Sequence, residues 1–206
     1  MLNADKALYL AKEKGKNRHI IYEERLHGKL ETDDMQNMAM AYAVSKEKKR
    51  EAITEIITEL CVSGVNAIVK SEECLQQIRS LFDLDGITVF SDRGNRLVCR
   101  NGNYMAEAPD GRLGFEDEGY LSLFGDDDIF VESNMIKLRS QIPAAYAVTQ
   151  EQEVGAALQC LSRKEGIPYT MVSFEVFNRN RKWSDKDVTL LTLLGHCIGD
   201  LLNYSE

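Results

Sequence analysis

The sequence predicts an α+β fold from three observations: two pairs of β-rich runs joined by short turn-rich segments, a helical stripe ahead of the first pair, and a capped, leucine-rich helix after the last. At 44% hydrophobic content, the roughly 150 residues that follow the first ~50 suffice for one core of ordinary domain size. One globular domain with an N-terminal appendage is the expected organisation.

In chain order, Ala4, Ala7, Leu8 and Ala11 recur at helical spacing, with Asp5 in the first turn, lysines in the last and Gly15 as a left-handed stop. This is a short amphipathic helix, and His19-Ile20-Ile21-Tyr22 after it has the content of a short strand. A helical connector follows. Met35, Met38 and Tyr42 begin a stripe, the lysine-rich Ser45 to Arg50 interrupts it, and Ile53, Ile56, Ile57 and Leu60 resume it. Ile53, Ile56 and Leu60 have the a-d-a spacing of a parallel two-stranded coil, although packing on their own domain accounts for the same stripe.

Ser71 has the character of an N-cap, and Leu75, Ile78, Leu81 and Phe82 form a stripe that stops near Asp85-Gly86. Ile87 to Ser91 and Arg96 to Arg100 flank the turn Asp92-Arg93-Gly94-Asn95, so a β-hairpin is expected. Asn101 to Asp128 reads as loop with one short helix near Tyr120 to Phe124. Ile129 to Val131 is a brief strand, and Asn134 to about Gln152 is mainly helical with a break at Pro143. Ala156 to Leu161 and Tyr169 to Phe177 are strands around Arg163-Lys164-Glu165-Gly166. Ser184 then caps a helix, with Asp187 three residues on, and Leu191, Leu194, Ile198 and Leu201 line one side of it.

Charge excludes some functions. Residues 1 to 50 hold 11 Lys+Arg against 8 Asp+Glu, and residues 51 to 206 hold 14 against 25, so a net of +3 precedes a net of −11. The acidic remainder argues against nucleic acid or an anionic membrane as partner. No apolar stretch reaches membrane-spanning length and the N-terminus lacks the apolar centre of a secretory signal, so a cytoplasmic location is expected. Cys61, Cys74, Cys99, Cys160 and Cys197 are odd in number, widely spaced and without a Cys-x-x-Cys pair. They suit core packing better than disulfides or zinc. His19, His27 and His196 have no ligand-spaced partners, and Asp126-Asp127-Asp128 reads as a solvated loop rather than a cation site, so no metal is expected.

Two resemblances add to this reading. Ala4-Asp5-Lys6-Ala7-Leu8-Tyr9-Leu10-Ala11-Lys12-Glu13-Lys14-Gly15-Lys16-Asn17-Arg18, with Ile20 to Tyr22, resembles the C-terminal signature of GGDEF-type diguanylate cyclases. The resemblance implies that Lys12 and Lys16, one helical turn apart, correspond to phosphate-contacting residues of that family. The Gly-Gly-Asp/Glu-Glu-Phe hairpin itself does not occur in the sequence, and neither does a Walker-type loop. Without metal-holding carboxylates there is no charge neutralisation for phosphoryl transfer. No catalytic residue, and no GTP turnover, is therefore expected of this chain.

The second resemblance lies at the other end. A hairpin closing in Phe174-Glu175-Val176-Phe177-Asn178-Arg179-Asn180-Arg181-Lys182-Trp183-Ser184-Asp185-Lys186-Asp187, then a leucine-rich helix, resembles the end of a GAF domain. It implies an antiparallel sheet with the N- and C-terminal helices on one face, a ligand pocket on the other where there is one, and dimerisation through the helices. The Asn-Lys…Phe-x-x-x-Asp-Glu pattern of cyclic-nucleotide-binding members is absent, no cysteine has an evident bilin-attachment context, and no histidine is placed as a haem ligand. Large aromatics such as Phe174, Phe177 and Trp183 are expected in the core rather than in a pocket, and Arg179, Arg181 and Lys182 in an exposed turn that could meet an anion.

The organisation expected is thus residues 1–30 as the end of a GGDEF domain, 31–50 as a connector, and 51–206 as a GAF-like domain. The expected function is that of a sensory module in a bacterial cyclic-di-GMP signalling protein, the parent being a diguanylate cyclase. It would hold no cofactor beyond an unidentified small-molecule ligand, form a homodimer through its helices and act on a neighbouring GGDEF domain. A structural dimerisation or protein-interaction module without a ligand is the alternative.

Overall fold

The structure, a computed structural model, describes residues 32–62, 67–91, 96–104, 117–143, 145–146 and 153–204, with isolated positions Ala7, Ile21, Glu23 and Arg25. Lys12, Lys16 and the helix-and-strand reading of residues 1–30 lie outside the described residues. The elements are α1 (Thr32–Val62), α2 (Ala67–Phe82), β1 (Gly86–Ser91), β2 (Arg96–Gly102), α3 (Glu118–Leu121), β3 (Ile129–Glu132), a 3-10 turn (Met135–Lys137), α4 (Leu138–Gln141), β4 (Val154–Lys164), β5 (Ile167–Phe177) and α5 (Asp185–Tyr204). The chain divides into two compact units, Met1–Ala52 and Ile53–Glu206, and the whole sheet belongs to the second.

The strands form one sheet in the order β2-β1-β5-β4-β3, with every pairing antiparallel. The centre is the β4–β5 hairpin, whose near-continuous apolar runs are the sequence signature of strands covered on both faces. Side chains alternate across the sheet. Ala156, Leu158, Cys160, Val172, Phe174 and Val176 point to one side with Ile87 and Val89, where they meet Ile53, Ile56 and Leu60 of α1, Leu75 and Ile78 of α2, and Leu191, Leu194 and Ile198 of α5. This is the helix face. The opposite face carries a second apolar cluster of Tyr120, Phe124, Phe130, Met135, Leu138, Ala157, Leu161 and Met171.

The expectation of an antiparallel sheet with N- and C-terminal helices together on one face is met. Ile53, Ile56 and Leu60, at most 3% exposed, are consumed by their own domain. They do not supply a coiled-coil seam. Ser184 caps α5 as expected, its Oγ accepting from Asp187 N at 3.1 Å, but the Asp187 carboxylate turns to Arg181 at 3.8 Å. Ser71 does not cap α2, which starts four residues earlier. Among the described residues from Asn134 to Tyr146 the expected helix comes as short pieces with the expected break at Pro143: the chain leaves helical geometry at Ile142, φ −139°, as the residue before Pro143 must. No described helix is long and apolar enough to cross a membrane.

Candidate functional site

The face of the sheet away from the helices holds a row of buried polar side chains that strand alternation alone places there. Gln159 on β4, Ser173 on β5 and Thr88 on β1 are directly opposed in register, and the next row is Ala157, Glu175 and Gly86. Each of the four polar residues is at most 8% exposed. Gln159 Nε2 donates to Ser173 Oγ at 3.1 Å, and Tyr120, arriving from α3, donates its hydroxyl to Gln159 Oε1. Thr88 Oγ1 and the Tyr104 hydroxyl donate to Glu175 Oε2 at 3.1 Å and 2.6 Å, and lie 2.6 Å from each other.

Tyr104 owes its seat to a missing side chain. A Cβ on Gly86 would stand 2.5 Å from the Tyr104 hydroxyl, so the ring reaches Glu175 only because β1 begins with glycine. Phe177 flanks the ring at 5.1 Å between centroids, and the Arg100 guanidinium lies 3.2 Å from the ring centroid. Burial drives the Glu175 carboxyl above its ordinary range, and hydrogen bonds from Tyr104, Ser173 and Thr88, with the positive charge of Arg100, pull the other way. Burial first, and then the charge of Glu175, pushes the Tyr104 phenol up as well. The row is a closed hydrogen-bonded network in which donors and acceptors satisfy one another.

At the end of the same face, where β4 begins and β5 ends, the surface opens into a groove of about 370 Å³ lined by Asn134, Met135, Ile136, Tyr146, Glu153, Val154, Gly155, Asn178, Arg179 and Asn180. That volume lies within the range of small-molecule sites. Met135 and Val154 form an apolar floor continuous with the second cluster. Glu153 and Asn178 face each other across the strand ends, the Asn178 backbone and side-chain N–H groups each donating to Glu153 at 2.8 Å. Arg179 pairs with Asp85 at 3.1 Å and Asp83 at 3.5 Å.

The same geometry places the other residues singled out in the sequence. Arg181 stacks 4.5 Å from the Trp183 ring and donates to the Asp83 carbonyl, so Arg179 and Arg181 are tied into the fold rather than held out for an anion. Trp183 and Phe174 are buried on the helix side, whereas Phe177 lies against Tyr104 on the other. Asp128 pairs with Arg163 at 2.7 Å, and among the described residues no three His, Cys, Asp or Glu side chains gather as metal ligands would. His196 is half-buried on α5, on the helix side. Cys74, Cys99 and Cys160 are in the helix-side core, with burial pushing the last two thiols up to about 12; Cys197 packs against that core and Cys61 is exposed on α1. None presents a thiol to the groove.

No family model matches this sequence, and no curated protein matches it either. Solved structures do resemble it. The GAF domain of an Acinetobacter phosphoenolpyruvate-protein phosphotransferase superposes with a TM-score of 0.58 at 14% identity, covering 77% of this chain and 94% of that one. The fold is that of a GAF domain. The A. aeolicus nlh2 GAF domain in an inactive state is similar over 79% of this chain and 99% of its own, with a TM-score of 0.53 and 14% identity. The far-red absorbing dark state of JSC1_58120g3, with bound biliverdin IXa, gives 0.58 at 17% identity over 75% and 98%. In this GAF fold the polar row and the groove share the face that the helices leave open.

A pocket on this face is what the GAF resemblance implies, but of the residues that form the row and the groove only Arg179 was marked as a ligand contact in the sequence. The signal for the row was present: Ser173 and Glu175 interrupt the apolar Tyr169–Phe177 strand at alternate positions, which is period two on one face. Nothing local marked Tyr104, which is brought to Glu175 across 71 residues.

Proposed function

We propose that this chain is a sensory GAF module of a bacterial cyclic-di-GMP signalling protein. A small molecule bound on the open face of the sheet alters the packing of α1 and α5 on the other face. The supporting observation is the division of the sheet: a groove and a buried polar row on one side, and the terminal helices on the other. Both sides share the same strands, so a residue shifted on β5 moves neighbours that face the helices. The resemblance of residues 4–22 to the end of a diguanylate cyclase supports the signalling context and a cyclase parent, and α1 enters the sheet domain from that direction in the sequence. On this reading Lys12 and Lys16 belong to a cyclase-like segment, no chemistry occurs in this chain, the helices pair two copies, and the protein works in the cytoplasm.

A thermal-shift screen of the chain against metabolites, followed by sedimentation velocity with each hit, tests the proposal. A stabilising metabolite that alters the dimer is the expected result; no stabilising metabolite beside a stable dimer overturns it in favour of a purely structural dimerisation module. The 47%-exposed Leu193 of α5 gives that second reading its footing. Incubation with GTP and Mg²⁺ should yield no cyclic di-GMP.

A further inference from the structure

The groove at the β4–β5 end is built by departures from regular strand geometry. Gly155 is the extra residue of a β-bulge, since Val154 pairs with Phe177 and Ala156 with Val176. A Cβ there would meet the Arg179 carbonyl oxygen at 2.4 Å, so the bulge requires glycine for the backbone to pass so close. On either side of it, Glu153 and Asn178 are both left-handed, with φ of +58° and +53°. Asparagine tolerates that region and glutamate does not favour it, so the pair holds strain in the groove wall.

The charge of the groove follows from the same pairings. Arg179, the cation of the lining, is spent on Asp83 and Asp85. Asn134 spends its side-chain oxygen on Ile136 N–H. The carboxylate of half-buried Glu153 accepts from the Asn178 side-chain amide, the Asn178 backbone N–H going to the Glu153 main-chain carbonyl instead, and among the described residues no cation meets that charge. The same groove is lined by the buried apolar Met135 and Val154 and by half-buried Tyr146. A carboxylate and apolar side chains lining one groove of about 370 Å³ in an acidic domain complement one ligand chemistry better than others.

We propose that the groove is the ligand site of the module and that it takes a small organic cation, an ammonium or guanidinium on an apolar body, with Glu153 as counter-ion and the Asn134 and Asn180 amides at its edge. This inference rests on the sensory reading of the module and adds the class of ligand. Phosphorylated and dicarboxylate ligands are disfavoured by the same charge.

The test uses the full chain, isotopically labelled, and three probes of one body but different charge: phenethylamine, phenethyl alcohol and phenylacetate. Titration followed by amide chemical shifts should perturb Gly155, Asn178 and Glu153, with the amine binding about tenfold tighter than the acid. Glu153→Gln should bring amine and alcohol to equal affinity. Asn178→Gly, which keeps the left-handed backbone while removing the amide, should leave the fold intact and release Glu153 for the cation. An acid that binds as well as the amine, an amine preference that survives Glu153→Gln, or shifts confined to residues outside the groove would each overturn the proposal. If no probe binds the groove while some metabolite still stabilises the chain, the groove assignment fails and the sensory reading stands; the absence of any stabilising metabolite removes that reading itself.

Discussion

Glu175 sits at the centre of the open face with its carboxyl held above its ordinary value of 4.5, chiefly because burial penalises the charged form. The native state therefore keeps a proton that the unfolded chain releases. Stability should fall as pH rises above 4.5, and continue to fall until the folded carboxyl ionises, at no more than about 1.4 kcal/mol per pH unit, the value for one proton. Glu175→Gln should flatten that part of the curve; urea unfolding across pH reads it directly. Tyr120→Phe, which strips Gln159 Oε1 of its buried donor, should cost about 1–3 kcal/mol in the same assay. At this scale the sequence was least informative, because Tyr104, Thr88 and Glu175 become one network only when β1, β5 and the segment after β2 are brought together. Residues 3.6 or 2 apart leave a periodic trace; residues 71 apart do not.

Elements were far more legible, since amphipathic periodicity is local. The β1–β2 hairpin, the short β3 and the leucine stripe of α5 fall where alternation and helical spacing put them. The errors are at ends. β4 and β5 run on to Lys164 and Ile167 because a hairpin can project past the core with exposed Arg163, Lys164 and Glu165, and Pro168 is tolerated there beside a register shift at Ser162/Arg163. Ser71, a residue of capping type, lies inside α2. The docking of α5 on β4 and β5 depends on small residues that periodicity does not reveal: a Cβ on Gly195 would stand 2.7 Å from Cys160 Sγ and 2.8 Å from its Cβ. Gly195→Ala should push α5 off the sheet, costing about 1–3 kcal/mol and several degrees of Tm by calorimetry.

For the whole molecule, composition and the final fifty residues carried the fold class, and the GAF fold is what solved structures share with this chain at 14–17% identity. The residues that would tie it to a cyclase, Lys12 and Lys16 among them, lie outside the described part, so the signalling context rests on sequence resemblance. The fold supplies a physical basis for the regulatory proposal. β4 and β5 have side chains in the helix-side core at Leu158, Cys160, Val172 and Phe174 and in the open-face row at Gln159, Ser173 and Glu175, so the two faces share a backbone. A ligand can work through that backbone only if it binds two arrangements of the helices with different affinity.

Hydrogen exchange of the full chain, with and without the strongest stabiliser from the metabolite screen, tests that coupling most directly. Slowed exchange at residues 153–155 and 178–180 is expected together with altered exchange at 53–62 in α1 and 190–202 in α5. Protection confined to the groove, with both helices unchanged, would contradict it.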